Sequence, residues 1–256
     1  MIRFALFLAL ASLALAGTAQ AERLTIALST TEIAISSAFT GTPVTLFGVI
    51  EGDETAVAPT GADYQVAVLI LGPRYSVVAR KKDSVLGVWA NRQSQTIINP
   101  PSFYSLNTSA DVPELAAPGV LERLQIGFDN IAFVYEARAV VNDPAAAEFR
   151  AAFIRLKEKA ALYNETVGVT FVGDIVFRTT AWLPASIPVG DYTAVAFLFS
   201  RGELIARAEQ KIAVSKTGFE GTMAAFARTQ SLPYGLICVA LALFIGWLGG
   251  VIFRRD

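Results

Sequence analysis

Side chains able to do chemistry are few and dispersed along this chain. Its 256 residues include no histidine and one cysteine. His-based triads, His metal sites and imidazole pH switches are thereby excluded, as are an intramolecular disulfide and a Cys-x-x-Cys centre. A hydrolase would have to use serine activated by lysine, or paired carboxylates. Ser215 and Lys216 are adjacent at a predicted strand end, and no Ser-x-x-Lys lies in a supporting motif. The carboxylates fall singly in turns and on helix faces, so spacing points to no glycosidase-type pair. Their densest run is Glu51, Asp53, Glu54 and Asp63 in EGDETAVAPTGAD. It lacks the twelve-residue ligand ladder of an EF-hand and reads as a hairpin connection. Phosphate-cradling glycine motifs are missing, because Gly246-Trp-Leu-Gly249-Gly250 lies inside an apolar run. The sequence assigns no catalytic, cofactor-binding or metal-ligating residue, and the expectation is that the protein is not an enzyme.

Charge narrows the partners. Between Glu22 and Arg228 there are 18 Lys/Arg against 21 Asp/Glu, which leaves no basic footprint for nucleic acid. The one basic run, Arg80-Lys81-Lys82, is followed by Asp83 and reads as a solvated strand end. Two Asn-x-Ser/Thr matches, at Asn107 and Asn164, read as chance.

What must hold these residues is a chain of two compositions. It is 54% hydrophobic and 17% charged, against ~25% charged in ordinary soluble domains, and much of the apolar surplus sits at the ends. Arg3, the apolar Phe4 to Ala16 and the small-x-small Ala19-Gln20-Ala21 predict a signal peptide over 1–21, cleaved before Glu22. Leu232 to Phe253 carries no charge, and at ~1.5 Å per residue it reaches about 33 Å, enough to cross a bilayer. Arg254 and Arg255 follow as the positive-inside flank, with Tyr234 and Trp247 as interface aromatics. The expected product is a single-pass protein of the bacterial inner membrane. Its large domain would be periplasmic and its C-terminal tail, 254–256, cytoplasmic, too short for cytoplasmic signalling. Cys238 reads as a small packing residue within the span.

Between the ends, LTIAL, EIAIS, PVTLFGVIEG, YQVAVLILG, YSVVARK and SVLGVWA read as strands separated by turn residues. After Asn99 to Ser109 (NPPSFYSLNTS) the period lengthens. A short helix is predicted around Val120 to Gln125, and a longer one opens at Asp143-Pro144. Its apolar face is Phe149, Ala152, Phe153, Leu156, Ala160 and Tyr163, and Arg150, Arg155, Lys157, Glu158 and Lys159 take the other. Strands return from Val167 and end in a hairpin about Arg201-Gly202. Pro188-Val-Gly-Asp-Tyr-Thr before an alternating strand resembles the last strand pair of immunoglobulin-like sandwiches, with Tyr192 as a candidate corner tyrosine. The predicted fold is mainly β: an immunoglobulin-like β-sandwich over 22–216 with a helical insertion at about 110–165, plus one C-terminal transmembrane helix. Two small β domains around a helical linker is the alternative. Thr217-Gly-Phe-Glu220 is a capping box opening an amphipathic juxtamembrane helix over 217–231, which leads into the span at 232–253.

Three stretches, ALSTTEIAISSAFTGTPVTLFGVIEG, FRTTAWLPASIPVGDYTAVAFLFSRG and LPYGLICVALALFIGWLGGVIFRRD, make the whole mature chain resemble a family of alphaproteobacterial transmembrane proteins. Its members carry a signal sequence, an exported domain and one C-terminal span. The resemblance assigns no activity to any residue. It implies a class of partner, the TauE/SafE-type exporters of sulfite or organosulfur anions that are genomic neighbours of such proteins. Two functions therefore compete: an accessory subunit that binds a membrane protein such as a multi-span transporter, and a tethered ligand-binding or sensing module. Gly246, Gly249 and Gly250 form a small-residue face on which another helix, of a partner or of a second copy, could pack closely.

Overall fold

Alternation of side chains decides which way each strand faces. The computed structural model describes residues 22–52, 64–85, 88–135, 144–217, 223 and 226–252. In β3 (Gly41–Glu51) Val44, Leu46, Gly48 and Ile50 point inward while Phe47 and Val49 point to solvent. β3 pairs antiparallel with β1 (Arg23–Leu28) and with β11 (Val176–Pro184), and β10 (Thr170–Phe171) completes a four-stranded sheet in the order β1-β3-β11-β10.

A second sheet has six strands, in the order β2 (Glu32–Ile35), β13 (Glu203–Lys216), β12 (Gly190–Ser200), β4 (Tyr64–Leu71), β7 (Tyr104–Thr108) and β9 (Tyr163–Val167). Its outer strands β2 and β9 run parallel to their neighbours, and the inner pairings are antiparallel. One core joins the two sheets. Leu24, Val44, Leu46, Ile50, Phe177 and Leu183 come from the first, and Val66, Val68, Ile70, Tyr192, Leu198 and Ile212 from the second. Fully burying a large apolar side chain contributes about 1.5–3 kcal/mol, so this shared face holds the sheets together. Each sheet contains strands from both halves of the chain, with β11 on β3 and β12 on β4.

The six-stranded sheet is also covered on its other face, which is why β4 reads as a near-continuous apolar run. The cover comes from the chain between β7 and β9. It holds α1 (Val112–Leu115), α2 (Pro118–Leu124), a 3₁₀ turn (Phe128–Asn130), β8 (Val134–Tyr135) and α3 (Pro144–Lys159). Leu115, Leu121, Ile126 and Phe153 from this segment pack on Ala67, Leu69, Val195, Phe197 and Phe199. A small third sheet, β5 (Val77–Val85), β6 (Val88–Ile98) and β8, flanks α3.

Several expectations change in detail. Asn99 to Ser109, after which the period lengthens, contains the fully buried strand β7, set between β4 and β9. Its backbone is held by the ladders to β4 and β9, while the buried Ser105 hydroxyl and Asn107 amide nitrogen have no hydrogen-bond partner among the described residues; its polar composition disguised it. The run from Val167 divides into β10 and β11 around Val172 to Ile175, and β9 begins earlier, at Tyr163. The hairpin at Arg201-Gly202 is as expected: both residues have positive φ, 51° and 80°, the type I′ geometry that matches strand twist.

The last described element, α4 (Ser231–Ile252), is a 22-residue helix with no buried residue. It is long and apolar enough to cross a membrane. The predicted signal segment, the acidic run Asp53 to Asp63, Asp143 at the start of α3, most of the capping box, and Arg254 and Arg255 lie outside the described residues.

Candidate functional site

An apolar concavity lies between α3 and β5. Phe149, Ala152 and Leu156 form one wall, Val77 and Ala79 the other, and the groove encloses about 490 Å³. Helical spacing of Phe149 and Phe153 drives those two rings inward, where both are buried. Leu156, predicted on the same face, is instead 67% exposed and lines the groove. Val78 across the groove is 51% exposed. At one end Lys81 Nζ lies 2.7 Å from Glu148 Oε1, so the middle of the basic run is paired across to α3.

Lys157, assigned by spacing to the polar face, turns back along the helix. Its ammonium sits 5.5 Å from the centre of the Phe153 ring and 5.9 Å from that of Tyr163, and donates to the Ser102 carbonyl at 3.2 Å. The Phe153 contact is the i, i+4 pairing of a cation with a ring one turn earlier, a signal present in the sequence but outweighed by the amphipathic pattern. Burial pushes the Lys157 amine below its ordinary range. Lysine and serine thus meet here through a backbone carbonyl, and Ser102 itself is buried.

Beneath the groove lies an aromatic cluster. Tyr163 stands edge-on to Phe153 and near Tyr104, with centroids 5.9 and 5.7 Å apart. The buried phenols are tied to backbone: Tyr163 donates to the Pro101 carbonyl at 2.7 Å, while Tyr104 donates to Gln125 and accepts from the Gly127 N–H. Burial raises both phenol pKa values, so these hydroxyls are structural donors at neutral pH.

A second depression, more polar, opens beside Gly127, Phe128, Asp129 and Glu165. The Glu165 carboxylate accepts from the Phe128 N–H at 2.9 Å. Burial, reinforced by Asp129 and Glu158, holds its acid above the ordinary carboxylate range despite that bond. Arg150 Nη2 donates to the carbonyls of Phe128 and Asp129, so this arginine braces the 3₁₀ turn and does not merely solvate α3. Among the described residues, no three His, Cys, Asp or Glu side chains gather as a metal site.

The span glycines stand apart from these depressions. A Cβ added at Gly246, Gly249 or Gly250 would meet nothing within 4 Å, and Cys238 is exposed. Of the two Asn-x-Ser/Thr matches, Asn107 is buried in β7 and cannot receive a glycan in the folded state, whereas Asn164 is exposed.

A family profile described as "Putative transmembrane protein (Alph_Pro_TM)" matches residues 23–255. No curated protein matches the chain.

Proposed function

We propose, since the chain belongs to this family of transmembrane proteins, that it is a membrane-anchored accessory protein whose exported β body binds a multi-span partner in the bacterial inner membrane. Export follows from Ala19-Gln20-Ala21, and the positive flank Arg254-Arg255 would retain the C-terminus in the cytoplasm. The body in this reading is an immunoglobulin-like sandwich. Its support is one core shared by two sheets and Tyr192, which is buried and donates back to the Pro188 carbonyl four residues upstream at 2.7 Å, as a corner tyrosine does. The partner class suggested by the family resemblance is an exporter of sulfite or organosulfur anions.

The observation that carries the proposal is the contrast between α4, without a buried residue, and a body that leaves an apolar groove open beside α3. The groove has apolar walls and paired or braced amines at its rim, a composition suited to holding a segment of another chain and poor in groups that could cleave one. A photocrosslinking residue in place of Leu156, in intact cells, tests this. An adduct with a multi-span membrane protein is expected, and crosslinks confined to the chain's own residues would contradict it. The groove also favours a second reading, a tethered module for an amphiphilic ligand. Saturable ligand binding with no protein adduct would support that reading.

A further inference from the structure

The register of the six-stranded sheet gathers one set of loops at the end where the chain departs for the span. β13 finishes at Lys216, opposite Ile35, and Gly190 at the start of β12 pairs with Val214. Leu71, Tyr104 and Tyr163 follow across the sheet at the same end. In the first sheet Pro184 pairs with Gly41 there as well. Only residues 217–230 separate β13 from α4, about 21 Å if helical and at most about 48 Å if extended.

The side chains at this end have the character of a membrane interface. Trp182 is 55% exposed and Tyr75 49%, and Tyr75 donates to the carbonyl of the exposed Val189 at 3.1 Å. Arg74 is exposed with one bond, to the Asn99 carbonyl, and Lys216 is exposed at the strand end, with the exposed Asp191 beside Gly190 as a counter-charge. Exposed rings with a polar handle, beside cations on long stems, are what headgroups accept. At the opposite end lie Glu51, Asp174 next to β11, Asp111 after β7 and Glu203 in the hairpin. Arg23 and Arg201 offset them only in part.

We infer that the loop end carrying Arg74, Tyr75, Trp182 and Lys216 rests on an anionic phospholipid surface, with the acidic end of the body turned away from the bilayer. The inference depends on the anchoring role of α4. It also gives the body a fixed orientation, which a flexible tether alone would not.

Fluorescence of the full chain in phospholipid vesicles tests it. The three tryptophans are Trp89, Trp182 and Trp247, so Trp89→Phe with Trp247→Phe leaves Trp182 as reporter, and Trp89→Phe with Trp182→Phe leaves Trp247. In vesicles containing phosphatidylglycerol with bromines near the headgroup end of the acyl chains, Trp182 emission should move to the blue and fall by roughly twofold relative to unbrominated lipid. Removing the anionic lipid, raising the salt, or introducing Lys216→Glu should restore it. If Trp182 is unaffected while Trp247 is quenched, the anchor holds and the resting surface is wrong. If neither is quenched, the anchor itself fails and this inference fails with it.

Discussion

The ring of Phe177 on β11 lies across the backbone of Gly48, its register partner on β3, so closely that a Cβ at position 48 would overlap the ring. Both residues are buried, and the ring has no free space to enter without disturbing the core between the sheets. Gly48→Ala should therefore destabilise the β body by about 1–3 kcal/mol, the cost of overpacking a filled core. Gly52→Ala, where an added Cβ meets nothing within 4 Å, serves as the control. Thermal unfolding of the full chain in detergent should show a lowered midpoint for the first and little change for the second. Equal midpoints would mean that β3 and β11 separate more easily than this packing implies.

Glu165 provides a pH-dependent test. Its folded acid is held above the ordinary range, first by burial, so the folded state keeps this proton while the unfolded chain releases it near pH 4.3. The contribution to stability is then largest at low pH and is lost as pH rises from the unfolded value through the folded one. Glu165→Gln keeps an acceptor for the Phe128 N–H and removes the charge. Because the site is half open to water, the gain at pH 7 should stay below about 1 kcal/mol, and the fall in unfolding free energy above pH 4.3 should be shallower. A less stable variant with an unchanged pH slope would refute this account of the second depression.

The strands whose apolar residues alternate or run together, β3, β4 and β12, were legible in the sequence because burial on one or both faces leaves that pattern. So was α2, delimited by Pro118 and Gly127, and so was the Arg201-Gly202 turn. β7 was not. Ser105, Asn107 and Thr108 are buried there between two strands, with the Ser105 hydroxyl and the Asn107 amide nitrogen left without a hydrogen-bond partner among the described residues, and a run this rich in polar residues looks like loop until its neighbours are known. The groove was illegible for a related reason. Leu156 belongs to the apolar stripe of α3, yet it lines the open groove beside β5, and a periodic pattern does not say which of its residues the fold leaves uncovered. Lys157 shows the reverse, a charged residue drawn onto rings by tertiary contacts.

The span should act as a contact surface as well as an anchor. Gly246 and Gly250, four residues apart with Gly249 beside them, leave room along α4 where another helix could approach closely. Replacing Gly246 and Gly250 with leucine should leave membrane insertion intact and reduce self-association or partner capture in detergent extracts several-fold, of the order expected for losing about 1 kcal/mol of helix packing. If the double variant retains the same companions in the same amounts, α4 anchors only, and recognition belongs to the β body.

Affinity capture of the full chain from native membranes in mild detergent tests the central claim, that this is a membrane-anchored partner protein. One multi-span membrane protein should co-elute in near-stoichiometric amount, and its recovery should fall when Leu156 in the groove is replaced by Glu. The chain eluting alone from membranes that contain its full complement of transporters, with unchanged behaviour for the Leu156→Glu variant, would contradict the account.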